Sequence, residues 1–153
     1  MADNSPPEML SSLGRVFRVG GTVGMTNGIW NALPSGFFDT FDYGTSDLVW
    51  NSTDGSWKVT RRGNYVVSAQ FVCASTSQSG YPSIYKGGVQ VAAGTSGSAS
   101  LVTVALPLEV NDTLTLRYWP FGTGVSVDGS STGFATYFQV MRITPDNLED
   151  ISA

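Results

Sequence analysis

The chain has 153 residues and a formal net charge of −4, with 41% hydrophobic residues and only 13% charged ones. That length fits one domain with its own core, and that hydrophobic content excludes a disordered chain. The eight Lys and Arg are scattered, which excludes the clustered basic footprint that nucleic acid or an anionic membrane surface requires.

Residues 1–13 are polar and carry Pro6 and Pro7, which forbid a regular helix, so they read as an N-terminal arm ordered against a partner. From Gly14 onward, short β-rich runs alternate with turn clusters, the pattern of an all-β sandwich or barrel. GRVFRV (14–19) is the first predicted strand, followed by GIWNAL (28–33) and GFFDTFDY (36–43), which Pro34 separates. SWKVT (56–60) leads past Arg61 and Arg62 into the most regular stretch of the chain. There Tyr65, Val67, Ala69, Phe71 and Cys73 share one face, and Asn64, Val66, Ser68, Gln70 and Val72 share the other. The first face reads as core. The second is half apolar, too greasy for plain solvent and suited to a second packed surface.

SIYKGGVQV (83–91) reads as a hairpin turning at Gly87–Gly88. SASLVTVAL (98–106), DTLTLRYW (112–119) and ATYFQVMRI (135–143) complete the strands. In DTLTLRYW, Leu114, Leu116 and Tyr118 face inward, while Thr113, Thr115, Arg117 and Trp119 face outward. The loops 92–100 and 120–134 are rich in Gly and Ser. The acidic tail 144–153 closes the chain with one short helical turn capped by Asp146, leaving 14–143 as the domain.

Catalytic chemistry is sparse. The chain has no histidine, which excludes His-based triads, bases and zinc sites. The single cysteine, Cys73, cannot form an intrachain disulfide and lies on the core face of its strand, where a thiol is inert. Asp39, Asp42 and Asp47 are candidate oxygen ligands for calcium, against a plainer reading as edge and loop carboxylates. Their spacing does not match an EF-hand loop. Read instead as a glycosidase pair, the same carboxylates lack a cleft. No catalytic, cofactor-binding or metal residue is assigned, and no cofactor is expected. The start MADNSPPEML lacks a basic segment followed by an apolar one, and no apolar run approaches the ~18 residues of a membrane helix. The expectation is a protein without a signal peptide, made in a cytoplasm and not inserted in a membrane.

Arg61 and Arg62 read as the polar entrance to the long strand, within reach of Glu149 and Asp150 of the tail. Trp30, Trp50, Trp57, Trp119, Tyr43, Tyr81 and Tyr85 are too many for one small core, so some are expected against a neighbouring subunit or a sugar. The expected subunit interface is Val66, Val72, Tyr81, Tyr85, Trp119 and Phe121, since interfaces are enriched in aromatics.

Three tracts resemble a known family. Trp57, Val59, Gly63, Tyr65 and Val67 form W-x-V-x-x-x-G-x-Y-x-V, similar to the tract in which a strand turns at glycine into a buried aromatic strand. LEVNDTLTL (108–116) is similar to L-x-x-G-D-x-V-x-L, with Asn111 in place of the glycine. TYFQVMRI (136–143) resembles the closing core strand, without the small residue often found there. The family is the jelly roll of tumour necrosis factor and the complement-type globular head, small versions of which occur in tailed-phage virion proteins. Over roughly 36–143, the resemblance implies a core built on Trp57, Gly63, Tyr65, Phe71, Leu114, Leu116 and Phe138. It also implies a homotrimer whose two termini leave at one end. The expected role is a virion structural protein, either a minor tail or tail-tip protein or a capsid decoration protein, with other virion proteins as partners. No collagen-like or coiled-coil stalk precedes the matched region, which favours a part that docks directly on a surface. The alternative is an adhesin module that holds a host-surface glycan in the loops at 43–57 or 120–134.

Overall fold

The computed structural model describes residues 12–129 and 135–143. Among them no helix occurs, and thirteen strands follow in chain order. They are β1 (Leu13–Phe17), β2 (Val23–Gly24), β3 (Asn31–Ala32), β4 (Thr40–Gly44), β5 (Leu48–Asn51), β6 (Ser56–Val59) and β7 (Gly63–Cys73). After these come β8 (Gly80–Lys86), β9 (Val89–Ala93), β10 (Ala99–Leu108), β11 (Thr113–Pro120), β12 (Ser126–Asp128) and β13 (Tyr137–Arg142). They pack as an antiparallel jelly-roll sandwich of two sheets. The first sheet runs β4–β1–β13–β7–β10, and β12, followed by β2, continues the β13 side of β7. The second runs β5–β6–β11–β8–β9, with β3 beside the far end of β11.

The alternation in β7 places Tyr65, Val67, Ala69, Phe71 and Cys73 in the core. Opposite them the second sheet supplies Trp57, Val59, Ile84, Leu114, Leu116 and Tyr118, all buried. Burying one such side chain is worth about 1.5–3 kcal/mol, so this layer is the main source of stability. Trp57 ties the sheets together. It has no exposed surface, its Nε1–H donates to the Phe138 carbonyl of the opposite sheet at 3.4 Å, and its ring lies 5.1 Å from Trp50. The indole reaches that far because β1 offers a glycine: a Cβ on Gly14 would sit 2.7 Å from Trp57.

Two turns follow their chemistry. Gly87 and Gly88 both have positive φ, 56° and 84°, and close the β8–β9 hairpin in two residues. Asn111, the sole non-glycine with positive φ among the described residues, turns at 74° before β11, the left-handed geometry that Asn tolerates.

Several elements differ from expectation. Residues 36–43 are not one strand: Phe37 and Phe38 are consecutive and both buried, which strand alternation forbids, and Gly36 breaks the run at φ 73°. The strand there is β4, displaced towards Gly44. GIWNAL contributes only the two residues of β3, because the chain before it is held by the Asn31 side chain. β2, β5 and β12 are too short to stand out in the sequence. Segment 43–57, expected as a loop, is largely a hairpin of β5 and β6, and 120–134 contains β12. Gly63 is not a turn residue. It opens β7, and its lack of a side chain makes room for Arg142, whose Nε would lie 2.6 Å from a Cβ there. The arm expected over 1–13 ends earlier, since Ser12 is buried and Leu13 belongs to β1. The rest of that arm, and the tail 144–153, lie outside the described residues.

Gly14→Ala should cost about 1–3 kcal/mol by forcing the Trp57 ring aside. Gly24→Ala, with nothing within 4 Å of its Cβ position, should change stability far less. Urea denaturation of both variants checks this, and equal costs would contradict the bridging role of Trp57.

Candidate functional site

The six residues expected in one subunit interface do not share a surface. Val66 and Val72 lie on the outward side of β7 in the first sheet. Tyr81, Tyr85 and Trp119 lie on the outward side of the second sheet, and Phe121 follows β11 directly. The two sets are back to back, separated by the core. Strand alternation assigns a side within one strand but does not say which strands share a sheet.

On the first sheet, the registers line up three outward rows across β1, β13, β7 and β10. Leu13, Met141, Val66 and Ala105 form the first. Arg15, Gln139, Ser68 and Thr103 form the second, and Phe17, Tyr137, Gln70 and Leu101 the third. Arg15 is the one charged side chain in these rows. It lies over the rings of Phe17 and Tyr137, at 5.7 and 5.1 Å, and meets Asp42 at 3.4 Å. The first row is entirely apolar, and no other element of the described residues covers it: Leu13 is 36% exposed and Met141 40%.

On the second sheet a loop lies over the strands. Asn31 is buried and binds in several directions: its Nδ2 donates to the carbonyls of Thr26, Ile29 and Tyr118, and its Oδ1 accepts from the Thr26 amide. This clamp holds Trp30 against β8 and β11. The Trp30 ring meets Tyr81 edge-on at 5.0 Å and 88°, Trp119 at 5.5 Å and Tyr85 at 6.4 Å. Tyr81 also faces Phe121 at 5.3 Å, and the Arg117 guanidinium lies 4.4 Å over the Tyr85 ring. Trp119 is therefore covered by a loop of its own chain. The surplus aromatics divide, with Trp57 in the main core and Trp50 packed against it, Trp30, Tyr81, Tyr85 and Trp119 in this outer cluster, and Tyr43 exposed on β4. Sequence reasoning missed Asn31, whose only signal was a polar residue after Trp30 in an otherwise apolar run.

The ends of the described sandwich lie side by side. Leu13 pairs with Met141, the Arg142 amide donates to the Ser12 carbonyl at 2.8 Å, and the Ile143 amide donates to the Asn64 carbonyl at 2.8 Å. Arg61 and Arg62 sit at this same end. They pair within the sandwich, Arg61 with Asp47 at 3.6 Å and Arg62 with Glu109 at 3.6 Å, while the tail residues expected as their partners lie outside the described residues.

The three aspartates serve separate places. Asp39 accepts from the amides of Val19 and Gly20 at 2.8 and 2.7 Å, and Asp42 meets Arg15. Asp47 accepts from the hydroxyls of Ser12 and Thr45 and pairs with Arg61. Among the described residues no group of three or more Asp, Glu or Cys is placed to hold a metal ion. Cys73 is buried, with Sγ 3.2 Å from the Tyr118 hydroxyl. Burial pushes its thiol up, which keeps it protonated and unreactive.

No family model matches this sequence, and no curated protein matches it. The fold does match solved structures. Murine APRIL aligns with a TM-score of 0.61 at 10% identity, covering 87% of this chain and 99% of its own. Eiger TNF from S. frugiperda aligns at 0.59 and 12% identity, covering 89% and 93%. GITRL from bushbaby aligns at 0.55 and 10% identity, covering 89% and 96%. The chain thus has a tumour-necrosis-factor-like jelly roll.

Burial pushes the carboxyls of Asp39 and Asp47 up, but hydrogen bonds and a neighbouring arginine outweigh it, and both are held below the ordinary 3.8. Each therefore favours its charged form in the folded state. The stability this adds is complete above about pH 3.8 and is lost as the pH falls through the folded values. Denaturant midpoints between pH 5 and pH 2 should fall, and the fall should be shallower in Asp47→Asn. An identical slope in that variant would contradict the assignment.

Proposed function

We propose that this protein is a non-enzymatic structural component of a tailed-phage virion. It forms a homotrimeric jelly-roll knob attached to a larger assembly through its termini, as a minor tail or tail-tip protein or as a capsid decoration protein. The observation that carries self-association is the outward apolar row Leu13, Met141, Val66 and Ala105, in which Leu13 is 36% and Met141 40% exposed. Left in water, such an exposed apolar row is costly, and burial against another copy removes it at little electrostatic expense, because Arg15 in the adjoining row already has Asp42. The depletion of charge with aromatic and Met content is the composition of an interface core.

Attachment through the termini rests on the adjacent start of β1 and end of β13, which put Ser12 and Ile143, the outermost described residues, at one pole of the sandwich. The virion setting rests on the resemblance of this knob to the small jelly rolls of tailed-phage virion proteins. Within that setting the other partners are virion proteins and the protein resides in the particle.

Sedimentation of the native chain at micromolar concentration should give a trimer, and Val66→Glu should give a folded monomer. A native monomer with the same fold would overturn the reading. Removal of residues 1–11 should leave both the trimer and the fold intact, because Ser12 and β1 remain, while abolishing incorporation into particles. Normal incorporation would reject attachment through that segment.

A further inference from the structure

The charges of this chain are divided between its sheets. The six strands of the second sheet contain Lys58, Lys86 and Arg117 and not one Asp or Glu. The ion pairs described above all use Arg15, Arg61 and Arg62, and a further one joins Arg18 to Asp39 at 4.0 Å. None of the three cations of the second sheet lies within ion-pair distance of a carboxylate among the described residues, although the chain as a whole is acidic. Arg117 is the one of them set among aromatic rings. It lies over Tyr85, one position short of Tyr118 and two short of Trp119 on the outward side of β11.

We infer that the outward face of the second sheet binds an acidic glycan. Its carboxylate or phosphate would meet the Arg117 guanidinium, and its sugar rings would lie against Trp30 and Tyr81. Three observations lead there. First, charge complementarity selects an anion: the register puts Arg117 and Lys58 on the outward side, Lys86 lies opposite the inward Leu114, and the strands of this sheet carry no Asp or Glu. Arg117 presents a planar donor fork, already oriented by its stack on Tyr85, that matches a carboxylate or a phosphate.

Second, the rings stand at steep angles to one another, 88° for Trp30 and Tyr81 and 63° for Trp30 and Trp119, so they form corners and not a flat apolar sheet. A pyranose alternates apolar C–H faces with hydroxyls. Its C–H faces suit the electron-rich ring planes, and its hydroxyls suit Thr115 and Gln90, which the register places on the same side of the sheet.

Third, the surface is rigid and placed away from the chain ends. Asn31 fixes Trp30 with hydrogen bonds of 2.8–3.2 Å, so little ordering cost falls on binding. Trp119 and Tyr81 lie at the end of their strands opposite the pole where β1 begins and β13 ends. The inference stands apart from the trimer and from the virion setting, since it uses neither the first sheet nor the termini.

The test titrates the full chain with hexagalacturonate, which carries carboxylates, and with phosphomannan, which carries phosphates. Uncharged mannan and poly-glutamate serve as controls. Tryptophan fluorescence and calorimetry provide the readouts. Saturable binding of at least one acidic glycan is expected, with mannan at least tenfold weaker and poly-glutamate not saturable. Arg117→Gln should lower affinity for the acidic glycan at least tenfold, to the level of mannan, while Arg117→Lys keeps part of it. Trp30→Phe should weaken both glycans, and unchanged near-ultraviolet circular dichroism and sedimentation would show that each variant is folded. Failure of both acidic glycans to bind overturns the proposal. So does undiminished binding by folded Arg117→Gln. Poly-glutamate binding as tightly as the glycans would reassign the face to an acidic protein.

Discussion

β7 is the strand on which the rest of this molecule depends. Both of its edges are paired, to β10 on one side and to β13 and β12 on the other, so every residue from Gly63 to Cys73 is held by neighbours. Its inward side supplies Tyr65, Val67, Phe71 and Cys73 to the core. Its outward side then has no freedom to turn away: Val66 and Val72 face outward because Val67, Ala69 and Phe71 between them face inward. A one-residue slip would expose Tyr65 and Phe71, so the greasy outer face follows directly from the packing of the inner one.

The two outer faces have different physical characters. The first sheet offers an apolar row and small polar side chains, with one arginine neutralised by Asp42. The second offers clamped aromatics and cations without carboxylates. The acids lie mostly at strand ends and edges, where Asp39 and Asp47 bind backbone amides and hydroxyls. This partition separates a surface suited to another copy of the chain from one suited to an anionic ligand. The individual surface ion pairs add little stability, about 0–1 kcal/mol each.

The long strands were legible because their alternation is strict. β7, β11 and the Gly87–Gly88 hairpin could be placed from residue period and turn chemistry alone. The resemblance to a tumour-necrosis-factor-like jelly roll, carried by Trp57, Tyr65 and the tract around Asn111, agrees with the fold observed. What was not legible depends on contacts distant in sequence. Gly63 looks like a turn until Arg142 is seen lying on it, 79 positions on by number. Phe37 and Phe38 look like strand residues until both are found filling the sandwich. The aromatic surplus could be noticed but not divided, since Trp119 and Val66 differ in sheet, and sheet membership is a property of pairing and not of period. Asn31 gave almost no sign of its role, because its hydrogen bonds reach a carbonyl on β11, far along the chain.

Met141 gives the most direct test of the central claim that the outward face of the first sheet is covered by another copy. Its side chain stands in the apolar row and is 40% exposed in the isolated knob, which makes its oxidation by peroxide a measure of that coverage. Mass spectrometry of the native chain should show Met141 oxidised slowly, and the Val66→Glu variant should show it oxidised several-fold faster. Fast oxidation at the same rate in both proteins would contradict the account.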